Sequence, residues 1–523
     1  MLTHQSLEFA RAHITAFYDT DFYPKPFEYE ALWYFWDEVK EHLLKAQPQE
    51  LFAGLPRSIA WPKARGGYRV VHQLEPLDAI VYIALTHAVI DQISAARMGA
   101  EVACSYRIAR DYSSFFSEGS GFDRYRVRCE QLSQQYKFVL STDIADFYNQ
   151  IYLHRVGNAI ESATGDAKAG LQLEQFITRL NNKASQGIPI GPAPSVVLAE
   201  AVMIDVDQLI NSMGLDHVRY VDDIRIFGDS GERLESCLEE LVIYLHENHR
   251  LNVVGEKTSI RSTSEFLHQE LQNQYQLEKL EILREIEVAN PYAAHSRDQE
   301  EMDEHDEGDG VGDENTRGPG EVLLDALSRV RRAGMVDLAV IRAIIRRAKA
   351  KQLDEISAFL LQEIAFFAPA ANDVVLYLAR LSDVQLANLL PLFSKGCGDG
   401  SFDRQCVRVW MEWLFSQRPS LLKDRTIQHY IKHKGSIIAQ ATTAVNAGNL
   451  AWAKSAKGKV LPNGAWDRRA YLYALAALSG DERKNFITPL LKHPAMTATD
   501  RWVASWILKG RPEPAIDLDD IPF

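Results

Sequence analysis

The chain has 523 residues, 46% of them hydrophobic and 24% charged, a globular composition that is too long for one ordinary core and suits two or three domains. No apolar run reaches the roughly 18 residues needed to cross a bilayer, so no membrane partner is expected. The formal net charge of −14 argues against a polyanion binder until it is divided along the chain, as −14 over residues 1–290, −8 over 291–320 and +8 over 321–523. A basic last part beside an acidic, cation-holding part is compatible with gripping a polyanion. The first residues, Met1-Leu2-Thr3-His4-Gln5, lack a basic segment leading into an apolar one, and a cytoplasmic location is expected. Five scattered cysteines (Cys104, Cys129, Cys237, Cys397, Cys406) form no Cys-x-x-Cys and are expected as reduced thiols.

Residues 1–50 carry apolar side chains at helical spacing (Leu32, Phe35, Trp36, Val39) and predict packed helices. Residues 57–72 predict a hairpin turning at Lys63-Ala64-Arg65-Gly66-Gly67, followed by helix from Pro76 to about Ala96. Strands are predicted at 137–142 and 217–228, a helix at 193–213, and a turn and strand at 249–262. Residues 296–319 are acidic and nearly devoid of apolar side chains, so they cannot offset their ordering entropy and predict a flexible linker. After Pro319 the pattern is almost wholly helical, in short segments (321–333, 336–351, 353–367, 372–380, 383–394, 403–417 and on to 509) of lengths that suit stacked antiparallel pairs. The expected division is 1–290, an acidic linker 291–320, and an all-α domain 321–523. On the third part Arg342, Arg346 and Lys349 fall at i, i+4 and i+7, opposite Ile341, Ile344, Ile345 and Ala348, either as a solvated helix face or as a nucleic-acid track.

The chemistry concentrates in two places. Asp222 and Asp223, in Arg219-Tyr220-Val221-Asp222-Asp223-Ile224-Arg225-Ile226-Phe227, read as a hairpin tip presenting carboxylates. Asp143 ends the apolar strand Phe138-Val139-Leu140-Ser141-Thr142. Phosphoryl transfer by two metal ions takes carboxylates from separate elements, so that the cations clamp the attacking and leaving oxygens. Asp143, Asp222 and Asp223 are therefore the candidate metal ligands, and hard, oxygen-seeking magnesium is the expected ion (two ions, or manganese in their place).

Tyr220-Val221-Asp222-Asp223, preceded by Asp143-Ile144-Ala145-Asp146-Phe147-Tyr148 and by the loop Gln186-Gly187-Ile188-Pro189-Ile190-Gly191-Pro192, resembles the reverse transcriptases, with the three motifs in that family's order. The resemblance covers about residues 55–265. It implies the fingers and palm of a right-hand polymerase; with the helical segments after Pro319, whose lengths alone suggest an all-α helical-repeat (HEAT-like) domain, the expected fold is α+β. It implies that Tyr148 closes the sugar pocket against a 2′-OH and that Gln186 and Gly187 touch the templating base and incoming nucleotide, with Pro189 and Ser195 nearby. It implies that Lys63, Arg65 and Arg69 hold the triphosphate, Arg69 foremost because a guanidinium pairs bidentately with phosphate. Lys257 resembles the lysine that neutralises or protonates the departing pyrophosphate.

The long helical part after the palm resembles the abortive-infection and defence-associated reverse transcriptases of bacteria. That implies antiphage function, homo-oligomers, dNTPs and nucleic acid (product DNA and template RNA) as partners, and in some members synthesis primed by a protein hydroxyl, for which Tyr18 and Tyr23 are candidates. Three functions stay open: a protein-primed polymerase without template, a template-dependent RNA-directed DNA polymerase, and a non-catalytic nucleic-acid-binding scaffold.

Overall fold

The computed structural model describes residues 2–17, 22–46, 51, 53–64, 66–108, 114–116, 121–271, 273–288 and 318–512. Arg65, Tyr18 and nearly all of the acidic stretch 291–320 lie outside the described residues. Two compact units emerge: the first is Met1–Ile59 with Val70–Asn273 and Gly448–Phe523, the second Ala60–Arg69 with Gln274–Ala447. The contacts thus group the last segment with the first helices rather than with residues 321–447.

The first unit begins with three helices, α1 (His4–Phe17), α2 (Glu28–Tyr34) and α3 (Trp36–Lys45). The hairpin strands β1 (Arg57–Pro62) and β2 (Tyr68–Gln73) come next in the chain, their inner residues Ala60–Arg69 being grouped with the second unit, then α4 (Pro76–His87) and α5 (Ile90–Ala96). Helix α4 starts where Glu75 accepts from the Leu77 and Asp78 amides, with Pro76 in its first turn, and all its residues up to Thr86 are buried. Next come α6 (Gly121–Gln135), β3 (Phe138–Asp143), α7 (Phe147–Gln150), α8 (Leu153–Thr164), α9 (Ala167–Leu180), α10 (Ala193–Val202) and α11 (Ile204–Ser212). Helices α8 and α9 cross at Gly157 and Gly170, where a methyl group on Gly170 would collide with the Gly157 carbonyl. Strands β4 (Asp216–Tyr220) and β5 (Asp223–Gly228), α12 (Gly231–Tyr244) and β6 (Ser259–Ser262) complete the sheet region.

The sheet has the order β4-β5-β3-β6, and every pairing in it is antiparallel. Side chains alternate across it. Val139, Val218 and Phe227 pack with Cys104, Tyr125, Cys129 and Leu132 in one core that covers one face with α6. On β3 the residues Val139 through Thr142 are buried, so the strand leaves the core at its carboxylate. All five cysteines are buried and unbridged. Among the described residues no single helix is long and apolar enough to cross a membrane; the bent pair α4–α5 is together long and apolar, and α4 is buried within this unit.

The C-terminal part of this unit packs through the helix Ala498–Leu508, which contacts α2 and the helix Ala465–Ala474. Arg469 lies at the centre of that packing and is fully buried. In the second unit, Gln274–Val288 packs on Leu338–Ala350, where Tyr275 and Lys279 both reach Asp337 at 2.9 Å. The Trp61 indole in this unit donates to the Pro369 carbonyl at 3.2 Å.

Candidate active site

Asp143 and Asp223 are directly opposite in the β3–β5 register, and Asp222 occupies the turn between β4 and β5. Like charges facing each other across strands repel. Two cations offset this: Lys257 Nζ lies 2.7 Å from Asp143 Oδ2, and Arg225 donates to Asp223 Oδ1. Asp223 also accepts from the Tyr125 hydroxyl at 3.1 Å, and Arg225 is held in turn by Glu270 at 3.0 Å. Asp222 makes no ion pair among the described residues. Burial and then the Asp143 charge push its carboxyl up to about 7. Burial also raises Asp223, against the pull of Arg225.

An all-carboxylate donor set suits a hard divalent cation, and the pressure on Asp222 is of the kind a cation would relieve. Among the described residues, however, no group of three or more His, Cys, Asp or Glu side chains is arranged to hold a metal. Asp223 is engaged by Arg225 and Tyr125 and Asp143 by Lys257, so Asp222 is the one carboxylate of the three without an ion pair among the described residues.

The turn itself is tightly determined. Val221 has φ +59°, a left-handed conformation that is a genuine outlier for a β-branched residue and costs roughly 1–2 kcal/mol. The Ile144 amide donates to the Asp222 carbonyl at 3.3 Å, and the Val254 amide to the Asp143 carbonyl at 2.8 Å, so the segment carrying Lys257 is stitched to the strand end. Beneath the turn Arg219 is fully buried. It donates to Asp207 through Nε at 2.7 Å and Nη2 at 2.8 Å, to Glu200 at 2.8 Å and to the Val221 carbonyl at 3.1 Å. Arg97 completes the cluster by donating to Glu200 at 2.6 Å. Burial works against ionised Asp207, yet Arg219 and His217 hold its carboxyl down at about 2.

Tyr148 sits half-buried on α7, and burial raises its phenol, with the Glu200 and Asp222 carboxylates adding to the shift. The Ile188 amide donates to the Tyr148 carbonyl at 2.9 Å and the Gly187 amide to the Ile151 carbonyl at 2.8 Å, which pins the Gln186–Pro192 loop against α7. The Gln186 amide donates to Gln150 Oε1 at 2.8 Å, and the buried Ser195 hydroxyl lies 3.1 Å from the Tyr82 hydroxyl. From the hairpin, His72 and Ile190 exchange two hydrogen bonds, at 2.8 and 3.1 Å. Gly187 has φ +90°, and a Cβ there would lie 3.3 Å from the Asn149 carbonyl. Gly187→Ala is therefore expected to cost about 1–2 kcal/mol in thermal unfolding and to slow nucleotide incorporation about tenfold. Unchanged melting and rate would show that the loop tolerates displacement.

Lys63 is exposed at the hairpin turn and Arg69 half-buried on β2; both belong to the second unit, whereas the carboxylates belong to the first. Arg65 lies outside the described residues. Sequence reasoning missed Arg225, Tyr125, Arg219, Glu200 and Asp207. Arg225 was within reach of it, since a residue two places along a strand shares the face of Asp223.

Residues 61–281 match the family model of the reverse transcriptase (RNA-dependent DNA polymerase). Similar solved structures include telomerase from Candida albicans with a fragment of telomeric RNA (12% identity, 77% of this chain and 70% of that one, TM-score 0.30). Another is apo telomerase from Candida tropicalis (10% identity, 90% and 73%, TM-score 0.32). No curated protein matches the chain. The family match spans both carboxylate motifs and the loop between them: this chain carries a reverse transcriptase domain, of the RNA-directed DNA polymerase type of nucleotidyltransferase.

Proposed function

We propose that the protein is a DNA polymerase of bacterial antiphage (abortive-infection) defence that joins deoxynucleotides from dNTPs. The observation that carries the polymerase reading is the placement of Asp143 and Asp222 at a strand end and the adjoining turn, with Tyr148 an electrostatic neighbour of Asp222. The defence reading is supported by the long run of short helices after the palm, which we read as a helical-repeat domain, and self-association is expected with it. Asp143 and Asp222 would hold magnesium, with Asp223 as a ligand only after release from Arg225. A bound divalent ion would neutralise charge on the phosphates. Tyr148 would exclude a ribose 2′-OH, the loop at Gln186 and Gly187 would seat the base pair, and Lys257 would move from Asp143 to the departing pyrophosphate. Lys63, Arg65 and Arg69 would contact the triphosphate.

Tyr148→Ala is expected to admit ribonucleotides, raising the kcat/KM ratio of rNTP to dNTP by roughly 100-fold. An unchanged ratio would assign the residue to packing. Tyr23 is 3% exposed and is a poor primer in this conformation. The deciding experiment supplies purified protein with magnesium and labelled dNTPs, first alone and then with an RNA template and annealed primer, and resolves products on a denaturing protein gel. Label that stays with the protein in the first case establishes protein-primed synthesis. Incorporation only in the second establishes a template-dependent enzyme. Absence of both sinks the polymerase reading in favour of a nucleic-acid-binding scaffold.

A further inference from the structure

The buried cluster below the catalytic turn is larger than strand pairing requires. Arg97, Glu200, Asp207 and Arg219 come from the end of α5, from α10, from α11 and from β4, and each is at least 94% buried. The two arginines and two carboxylates balance in charge, and Arg97 also donates to the Tyr106 carbonyl at 3.1 Å and the Ser105 hydroxyl at 3.2 Å. Such a cluster does little for stability that well-packed apolar residues could not do. What apolar residues could not do is donate a hydrogen bond. Arg219 has two of its nitrogens on Asp207, and its Nη1 is shared between Glu200 and the carbonyl of Val221. Val221 is the residue with positive φ, one position before Asp222. A strained conformation persists only where its surroundings over-determine it.

We propose that Arg219 is a positioning residue for Asp222: clamped by Asp207 and Glu200, it holds the Val221 carbonyl and thereby fixes the left-handed turn that aims the catalytic carboxylate. The guanidinium is needed because one side chain must serve two carboxylates and a carbonyl in fixed directions. A lysine keeps the charge but has one nitrogen, so it cannot span all three. The inference rests on the polymerase reading for its kinetic consequences and on geometry alone for its structural one.

The test uses the full chain bearing Arg219→Lys, Val221→Gly, or both. Arg219→Lys preserves the charge balance and is the variant most able to fold; its melting temperature is recorded beside wild type. Expected is a loss of about 100-fold in kcat, the scale of a displaced catalytic group, with KM for dNTP changed by less than about threefold. Glycine accepts positive φ without strain, so adding Val221→Gly to Arg219→Lys is expected to restore roughly tenfold of the lost kcat while leaving the melting temperature of the single variant unrecovered. A merely structural role predicts the reverse, with kcat following stability. Crystal structures of wild type and Arg219→Lys report φ at residue 221 without any activity. Relaxation to negative φ in the variant supports the inference, and an unchanged φ together with unchanged kcat overturns it. A wild type that incorporates no nucleotide would defeat the polymerase reading, and the φ measurement would still decide the role of Arg219.

Discussion

Asp222→Asn is expected to lower nucleotide incorporation at least about a thousandfold, near 4 kcal/mol of barrier, while making the metal-free protein more stable. The two effects have one origin. Asp222 sits in a half-buried turn facing Asp143, without a cation of its own, and its carboxyl is pushed up to about 7 from the usual 3.8. A carboxyl raised in the folded state carries no penalty below 3.8, a growing one between 3.8 and 7, and the full one above 7. That gap corresponds to at most about 4 kcal/mol, reduced by solvent at the turn. Asparagine removes it, so the melting temperature of Asp222→Asn should exceed that of wild type at pH 8, and the difference should shrink as pH falls below 7. Magnesium should raise the melting temperature of wild type more than that of the variant. Thermal unfolding at several pH values, with and without magnesium, checks this beside the incorporation assay. Retained activity would remove Asp222 from the site. A variant less stable than wild type at pH 8 would show that its carboxylate is compensated by a group not identified among the described residues.

Arg469→Met should produce the largest loss of stability, about 3–5 kcal/mol in denaturant unfolding. The Arg469 guanidinium lies 2.8 Å from Glu28, 3.1 Å from Glu75 and 3.7 Å from Asp500, all of them buried. It ties the helix that carries it to α2, to the start of α4 and to the helix Ala498–Leu508. Asp500 is partly supported by Arg468 at 2.7 Å, but Glu28 and Glu75 have no other ion pair among the described residues. Burial already raises Glu75 and, strongly, the neighbouring Asp78. Removing the arginine leaves a charge excess in an apolar interior, and breaking one partner of a buried cluster costs far more than the cluster contributes. Limited proteolysis should then cut between residues 448 and 512 under conditions that leave wild type intact. A loss below about 1 kcal/mol would mean that protonation of the carboxylates absorbs the change.

The carboxylate-bearing strands were legible in the sequence because local pattern decides them. An apolar run ending in Asp143, a pair of short runs around Asp222-Asp223 and a glycine- and proline-rich loop between them each signal through period and turn chemistry. The helices of 1–50, the hairpin at 57–72 and the helical region after Pro319 were legible for the same reason. Other features depended on residues far apart in the chain. Period two puts Arg225 on the face of Asp223, but nothing local says that Tyr125 arrives from α6 or that Glu270 holds the arginine. Only folding brings Arg97, Glu200 and Asp207 around Arg219, or places Glu28 beside Arg469, 441 residues away along the chain. The grouping of residues 448–512 with the first helices likewise has no sequence signature, since an amphipathic helix shows which face it buries and not against what. The sequence alone therefore determined the elements and the carboxylate-bearing motifs. The tertiary structure decided which carboxylates keep an unpaired charge, because neutralisation at close range depends on where distant cations come to rest.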